Sequence, residues 1–184
     1  SFIVEEGQAY GIDFNARYNT TPYYFKLVYS LAYNERTGEQ VSYNPHWDRR
    51  HNLNAVGTYQ FGKLNNWELS LRWNLGSGFP FTQTQGFYEN MRMQQNGATT
   101  NIKRQNGQLG IIYDDLNGGR LPYYHRLDAS LKKAWQLSPN QKLQATLSVI
   151  NTYNRNNVFY FDRVEYKRVN QLPILPSLSF SYEF

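Results

Sequence analysis

Apolar and polar residues alternate along this chain with a period of two. Near its end, Leu178, Phe180, Tyr182 and Phe184 interleave with Ser177, Ser179, Ser181 and Glu183. That period gives a strand one apolar and one polar face. Upstream, Leu143, Ala145, Leu147 and Val149 alternate with Gln144, Thr146 and Ser148. Leu127, Ala129, Leu131, Trp135 and Leu137 alternate with Arg126, Asp128, Ser130, Lys132 and Gln136. Lys133 alone interrupts that apolar row, near a strand end where a long side chain can snorkel. Trp67, Leu69, Leu71, Trp73 and Leu75 make a further row, as do Leu53, Ala55, Tyr59 and Phe61. Two earlier rows are Tyr23, Phe25, Leu27, Tyr29, Leu31 and Tyr33, and Tyr10, Ile12, Phe14, Ala16 and Tyr18. The pattern predicts seven strands, most about ten residues long, the length a tilted membrane strand needs.

The connections also alternate. Asn19-Thr20-Thr21-Pro22, Leu64-Asn65-Asn66 and Ser138-Pro139-Asn140 read as tight turns, whereas Glu35 to Arg50, Gly76 to His125 and Asn151 to Pro176 are long. Short turns on one side and long loops on the other are the habit of outer-membrane barrels, with the short turns periplasmic. The chain end then falls on the periplasmic side. Within the longest loop, Thr100 to Arg104 and Gln108 to Tyr113 flank Gln105-Asn106-Gly107. Asn-Gly is a strong hairpin signal, so a projecting ribbon is expected there.

Composition changes this picture little. The chain has 184 residues, no cysteine, 17% aromatic residues and a formal net charge of +5. Its mean hydropathy of -0.70 does not exclude a barrel, because lumen-facing residues offset lipid-facing ones in every strand. No apolar run approaches the roughly 20 residues of a transmembrane helix. A soluble β-sandwich or lipocalin-like barrel would alternate too. Three features favour the membrane: the long clean alternation, the segregated turn lengths, and the recurrence of Tyr23, Tyr33, Trp67, Trp73 and Trp135 near strand ends, as in interfacial aromatic girdles. The fold expected is therefore all-β, a transmembrane antiparallel up-and-down barrel. Closed bacterial barrels normally have an even strand number, so the seven strands are expected to be the C-terminal part of a larger barrel.

Several segments resemble the closing strands of TonB-dependent outer-membrane receptors: Asp48-Arg49-Arg50-His51-Asn52-Leu53, Trp73 through Ser77-Gly78-Phe79-Pro80-Phe81-Thr82, Arg120-Leu121-Pro122-Tyr123-Tyr124-His125-Arg126-Leu127-Asp128, Val149 through Asn151-Thr152-Tyr153-Asn154-Arg155-Asn156-Asn157-Val158, and Phe184. The resemblance spans the chain from about Tyr10 to its end. It implies a twenty-two-stranded barrel in the cell outer membrane, plugged by its own N-terminal domain, that imports a scarce ligand such as a siderophore, vitamin, glycan or peptide with energy delivered through TonB. Outer-membrane lipid, lipopolysaccharide and the barrel-assembly machinery are the further partners expected, and Phe184 resembles the C-terminal signal read by that machinery. The alternative is a non-transporting barrel serving adhesion or membrane structure; a lipase-like or protease-like barrel is a third reading. A plug encoded upstream would separate the first two.

Chemistry is sparse. No Gly-rich phosphate loop and no nucleophile motif such as G-x-S-x-G is present, so no enzyme activity and no cofactor are expected. His46, Asp48 and His51 lack a closed ligand set for a metal. Asp48, Arg49, Arg50, Arg126 and Asp128 are expected to form an ion-pair network in the lumen or where strands leave the membrane; for Arg120, Arg126 and Asp128 that role is favoured over lining a ligand path. Loop residues Arg92, Lys103, Arg104, Arg155, Arg163, Lys167 and Arg168 give a basic exterior suited to an anionic surface. Tyr153, Phe159, Tyr160 and Phe161 beside Arg155 and Arg163 are an aromatic and basic combination, but without a nucleic-acid-binding fold no nucleic-acid partner is expected.

Overall fold

In a computed structural model, residues 5–38, 41–90, 93–94, 97–98, 108–162 and 167–184 are described. Seven long strands form one antiparallel sheet: β1 (Glu6–Thr20), β2 (Tyr23–Thr37), β3 (His51–Phe61), β4 (Trp67–Gly76), β5 (Tyr124–Ser138), β6 (Gln141–Ile150) and β7 (Leu175–Glu183). Each pairs with its sequence neighbours, and Ser42–Tyr43 adds a short eighth strand to β2. The sheet is an open meander. Among the described residues β1 and β7 are each paired along one edge only, and β7 is exposed at every position.

The alternation fixes register. One row of directly paired residues runs Thr20, Tyr23, Tyr59, Leu69, Leu131, Leu147 and Leu178 through all seven strands. The next row on the opposite face includes Thr58, Ser70, Ser130, Ser148 and Ser177. A slip of one residue would exchange the faces. The apolar row leaves β1 at its turn-side end and crosses β7 well away from that end, so the strands are progressively staggered, as tilted strands are.

No hydrophobic residue is buried among those described. Ile12, Leu178 and Phe180 are 72%, 61% and 69% exposed, although they lie on a continuous apolar face. The buried polar residues are Asp48, Ser77, Asn151 and Asn157, and the other buried positions are the prolines and glycines Pro45, Gly76, Gly78, Pro80 and Gly119. Burial is therefore concentrated at the loop-side end of the sheet.

The turns lie where they were expected, and β2 meets β1 across Thr21-Pro22. Between β3 and β4, Gly62 at φ 84°, Leu64 at 61° and Asn65 at 53° take left-handed conformations in a short 3-10 turn. Two expectations differ. β1 and β2 are 15 residues each, longer than their apolar rows, because their hairpin continues past the rest of the sheet. There Arg36 pairs with Glu5 at 3.2 Å and Tyr43 donates to the same carboxylate. The long-loop ribbon has another partner: Gln108–Tyr113 pairs with Thr84–Asn90. Its expected partner up to Arg104, and the Gln105-Asn106-Gly107 turn, lie outside the described residues.

Candidate functional site at the loop-side end of the sheet

Two polar knots hold the loops over the strand ends. Asp48 centres the first. Its Oδ2 accepts from Arg120 Nη2, and its Oδ1 accepts from the Asn34 side chain at 3.1 Å and the Asn34 backbone at 3.3 Å. A fully buried carboxylate is tolerated because a cation and donors replace its water. Arg120 also donates to Asn44 Oδ1 at 3.3 Å and to the Gly78 carbonyl at 3.4 Å. Asn117, at φ 55°, donates to the Asn44 carbonyl at 2.9 Å, while its backbone donates to Thr82 Oγ1 at 3.0 Å. Three separate loop segments thereby meet on one carboxylate and one guanidinium.

Close backbone contact completes this knot. Leu121 N–H donates to the Phe79 carbonyl at 2.9 Å, and a Cβ added to Gly78 would lie 1.5 Å from the Leu121 carbonyl oxygen. Only glycine fits there. Buried Ser77 bridges to His51, its Oγ accepting from His51 N–H at 3.0 Å.

The second knot surrounds Asn151, fully buried and at φ 55°. Its backbone N–H donates to Asp128 Oδ1 at 3.0 Å. Its side-chain amide donates to the carbonyls of Arg155 and Leu172 and accepts from Arg155 N–H. Thr152 closes on the Leu127 carbonyl through backbone and hydroxyl. Asn154, at φ 50°, accepts from Ile174 N–H at 3.0 Å. Asparagine serves here because its side chain can replace a backbone partner and its backbone tolerates the left-handed region.

The expected ion-pair residues divide into distinct environments. Asp48 joins Arg120 rather than Arg49 or Arg50. Arg49 lies 4.3 Å from the Phe79 ring centroid and 5.8 Å from that of Tyr124. Burial pushes its pKa below the ordinary arginine value, opposed by Tyr124. Arg50 turns to the other face and lies 4.5 Å over Tyr33. Consecutive residues leaving a strand point to opposite sides. Arg126 pairs with Asp128 at 2.9 Å, and Asp128 also holds Asn151.

On the polar face, Arg49, Arg72, Arg126, Asn52, Asn54 and Asn74 surround a concavity of about 380 Å³. Three guanidiniums and three amides make a donor-rich surface that favours an anionic or hydroxyl-rich group. A more apolar cleft of about 360 Å³ lies between Phe81–Thr84 and Tyr160–Asp162, with Phe81 and Phe161 centroids 5.6 Å apart.

His46 packs edge-on to Trp47 at 4.6 Å, and His51 shares a 2.9 Å hydrogen bond with the Tyr29 hydroxyl. Among the described residues, no group of three or more histidine and acidic side chains is placed to hold a metal ion. Phe184 is 92% exposed and stacks on Tyr182 with centroids 6.0 Å apart. Tyr153 bonds the His125 ring at 2.7 Å, and Arg155 Nη2 donates to the Tyr123 carbonyl at 3.2 Å. Phe159 and Tyr160 meet edge to face. Arg92, Lys103, Arg104 and Arg163 lie outside the described residues. Sequence reasoning missed the central roles of Asn34, Asn151 and Asn157; the recurrence of asparagine from Asn151 to Asn157 was the available signal. No family model matches the chain, and neither a curated protein nor a solved structure matches it.

Proposed function

We propose that the chain forms part of the wall of an outer-membrane barrel, that of a TonB-dependent receptor importing a scarce ligand into the periplasm. The observation carrying this reading is an apolar face continuous through seven strands with no hydrophobic residue buried behind it among those described. In water, leaving such a face uncovered forgoes roughly 1.5–3 kcal/mol for each large side chain. Lipid removes that penalty. Seven strands of 9 to 15 residues match the length needed to cross a bilayer at a tilt. On this reading the staggered meander continues into strands beyond this chain and closes as a larger barrel.

Import is supported by the ordered receptor-like segments and by the chemistry of the polar face. All of those segments except Phe184 lie where the loops fold over the strand ends, and the arginine and asparagine concavity offers donors toward the lumen. The plug and the periplasmic energy-coupling protein TonB complete this proposal. Lipid meets the apolar face, lipopolysaccharide meets the basic loop side, and the barrel-assembly machinery inserts the product.

Single spin labels at Leu69, Leu131 and Leu147, compared with labels at Ser70, Ser130 and Ser148, test the membrane assignment in the complete protein. The first set should be reached by a lipid-soluble quencher and the second by a water-soluble one. Equal accessibility of both sets would overturn the barrel. Loss of ligand uptake on deletion of TonB tests import separately; unchanged uptake would leave a barrel without this mechanism.

A further inference from the structure

Lys133 is a cation on the apolar face. It pairs across the sheet with Trp67 on one side and Ala145 on the other. Its ammonium lies 4.5 Å from the Trp67 ring centroid and 4.9 Å from that of Trp135. Phe61 stacks on Trp67 with centroids 6.0 Å apart, which supports the first ring from behind. Glu68, directly beside Trp67, faces the other way and pairs with Lys132 at 2.7 Å. Lys133 has no carboxylate partner among the described residues. Two indole faces stabilise its charge without neutralising it, and its other neighbour across the sheet is the short, uncharged Ala145.

We propose that Lys133, held between Trp67 and Trp135, is a binding site for the phosphodiester headgroup of an anionic phospholipid in the leaflet next to the short turns. This inference rests on the barrel reading. The site lies toward the ends of β4 and β5 that adjoin the Gly62–Asn66 and Pro139–Asn140 connections. Indoles favour the level of the headgroups, and a lysine reaching that level can meet a phosphate. The flanking Leu131 and Phe180 are positioned on the same face to contact acyl chains. Thus charge complementarity selects the headgroup, while the surrounding side chains suit the remainder of the lipid.

The complete protein should first be tested for bilayer insertion by carbonate extraction of proteoliposomes. Failure to insert would overturn the barrel and, with it, this site. For inserted protein, phosphatidylglycerol and phosphatidylcholine binding should be compared by native mass spectrometry after transfer to detergent. The wild type should retain phosphatidylglycerol preferentially, Lys133→Gln should weaken that retention about fivefold, equivalent to about 1 kcal/mol, and Lys133→Arg should preserve it. Lys142→Gln, on the polar face opposite Glu183, should leave it unchanged. Equal retention of the two lipids, no effect of Lys133→Gln, an equal loss in Lys142→Gln, or competition by inorganic phosphate at matched concentration would overturn the lipid site while leaving the barrel standing.

Discussion

Asn157 pairs with His125 as a neighbouring strand would: its side-chain amide donates to the His125 carbonyl at 2.9 Å, and its side-chain oxygen accepts from His125 N–H at 3.1 Å. One buried side chain thus satisfies both backbone groups at the loop-side start of β5. Its own carbonyl accepts from Gln171 N–H at 2.8 Å, linking the last long loop to the same point.

Replacing Asn157 with alanine should remove both bonds from the half-buried His125 backbone, at a cost of about 1 kcal/mol for each bond lost. Asn157→Asp keeps the acceptor but sets a buried carboxylate oxygen against the His125 carbonyl, so its effect should be at least as large as that of alanine. Hydrogen exchange at His125 should accelerate in the alanine variant. Unchanged exchange would show that this side chain does not hold the strand end.

Asp48→Ala should loosen the first loop knot more than Arg36→Ala loosens the β1–β2 hairpin. Asp48 is fully buried, whereas the Arg36 and Glu5 side chains are 43% and 28% exposed. Because the Arg120 side chain keeps 32% exposure, Asp48→Ala strands the Asn34 donors rather than a buried charge, at about 1–3 kcal/mol, against about 0–1 kcal/mol for the surface pair. Limited proteolysis between Ser77 and Leu121 would report the difference; equal cleavage in both variants would contradict it.

Two glycines offer a matched comparison. Gly78→Ala places its Cβ 1.5 Å from Leu121 oxygen, whereas Gly57→Ala meets no atom within 4 Å. The first change should cost at least about 1–3 kcal/mol through steric displacement, and the second should remain within roughly 0.5 kcal/mol. Thermal unfolding monitored by the loss of heat-resistant mobility gives the comparison. Similar losses would require a different account of the Gly78 approach.

Arg49→Lys should disturb the polar concavity while retaining positive charge. A guanidinium presents a plane to Phe79 and Tyr124 that an ammonium lacks. Gly76→Ala should have a related effect, because its Cβ would lie 2.7 Å from the Arg49 guanidinium carbon. Crystal structures of the variants should show Arg49 displaced or its lysine replacement unstacked; retention of the original contact would contradict this explanation.

The alternating residues from Tyr10 to Phe184 determined the strands, their two faces and their order of short and long connections, because pleating and turn formation are local. Leu178 and Ser179 already declare opposite faces without knowledge of their partners. Ion-pair identity was not similarly legible. Asp48 stands beside Arg49 in sequence but pairs with Arg120, 72 positions away, while Arg49 stacks on Phe79 and Arg50 lies over Tyr33. The Asn157 contact with His125 spans 32 positions. Composition supplies many interchangeable donors and acceptors, so only the folding of the loops over the strand ends selected these partners. Periodicity along the chain is enough to define an apolar face and a polar face, whereas the choice of which buried polar groups join the loops requires convergence in space as well as compatible chemistry.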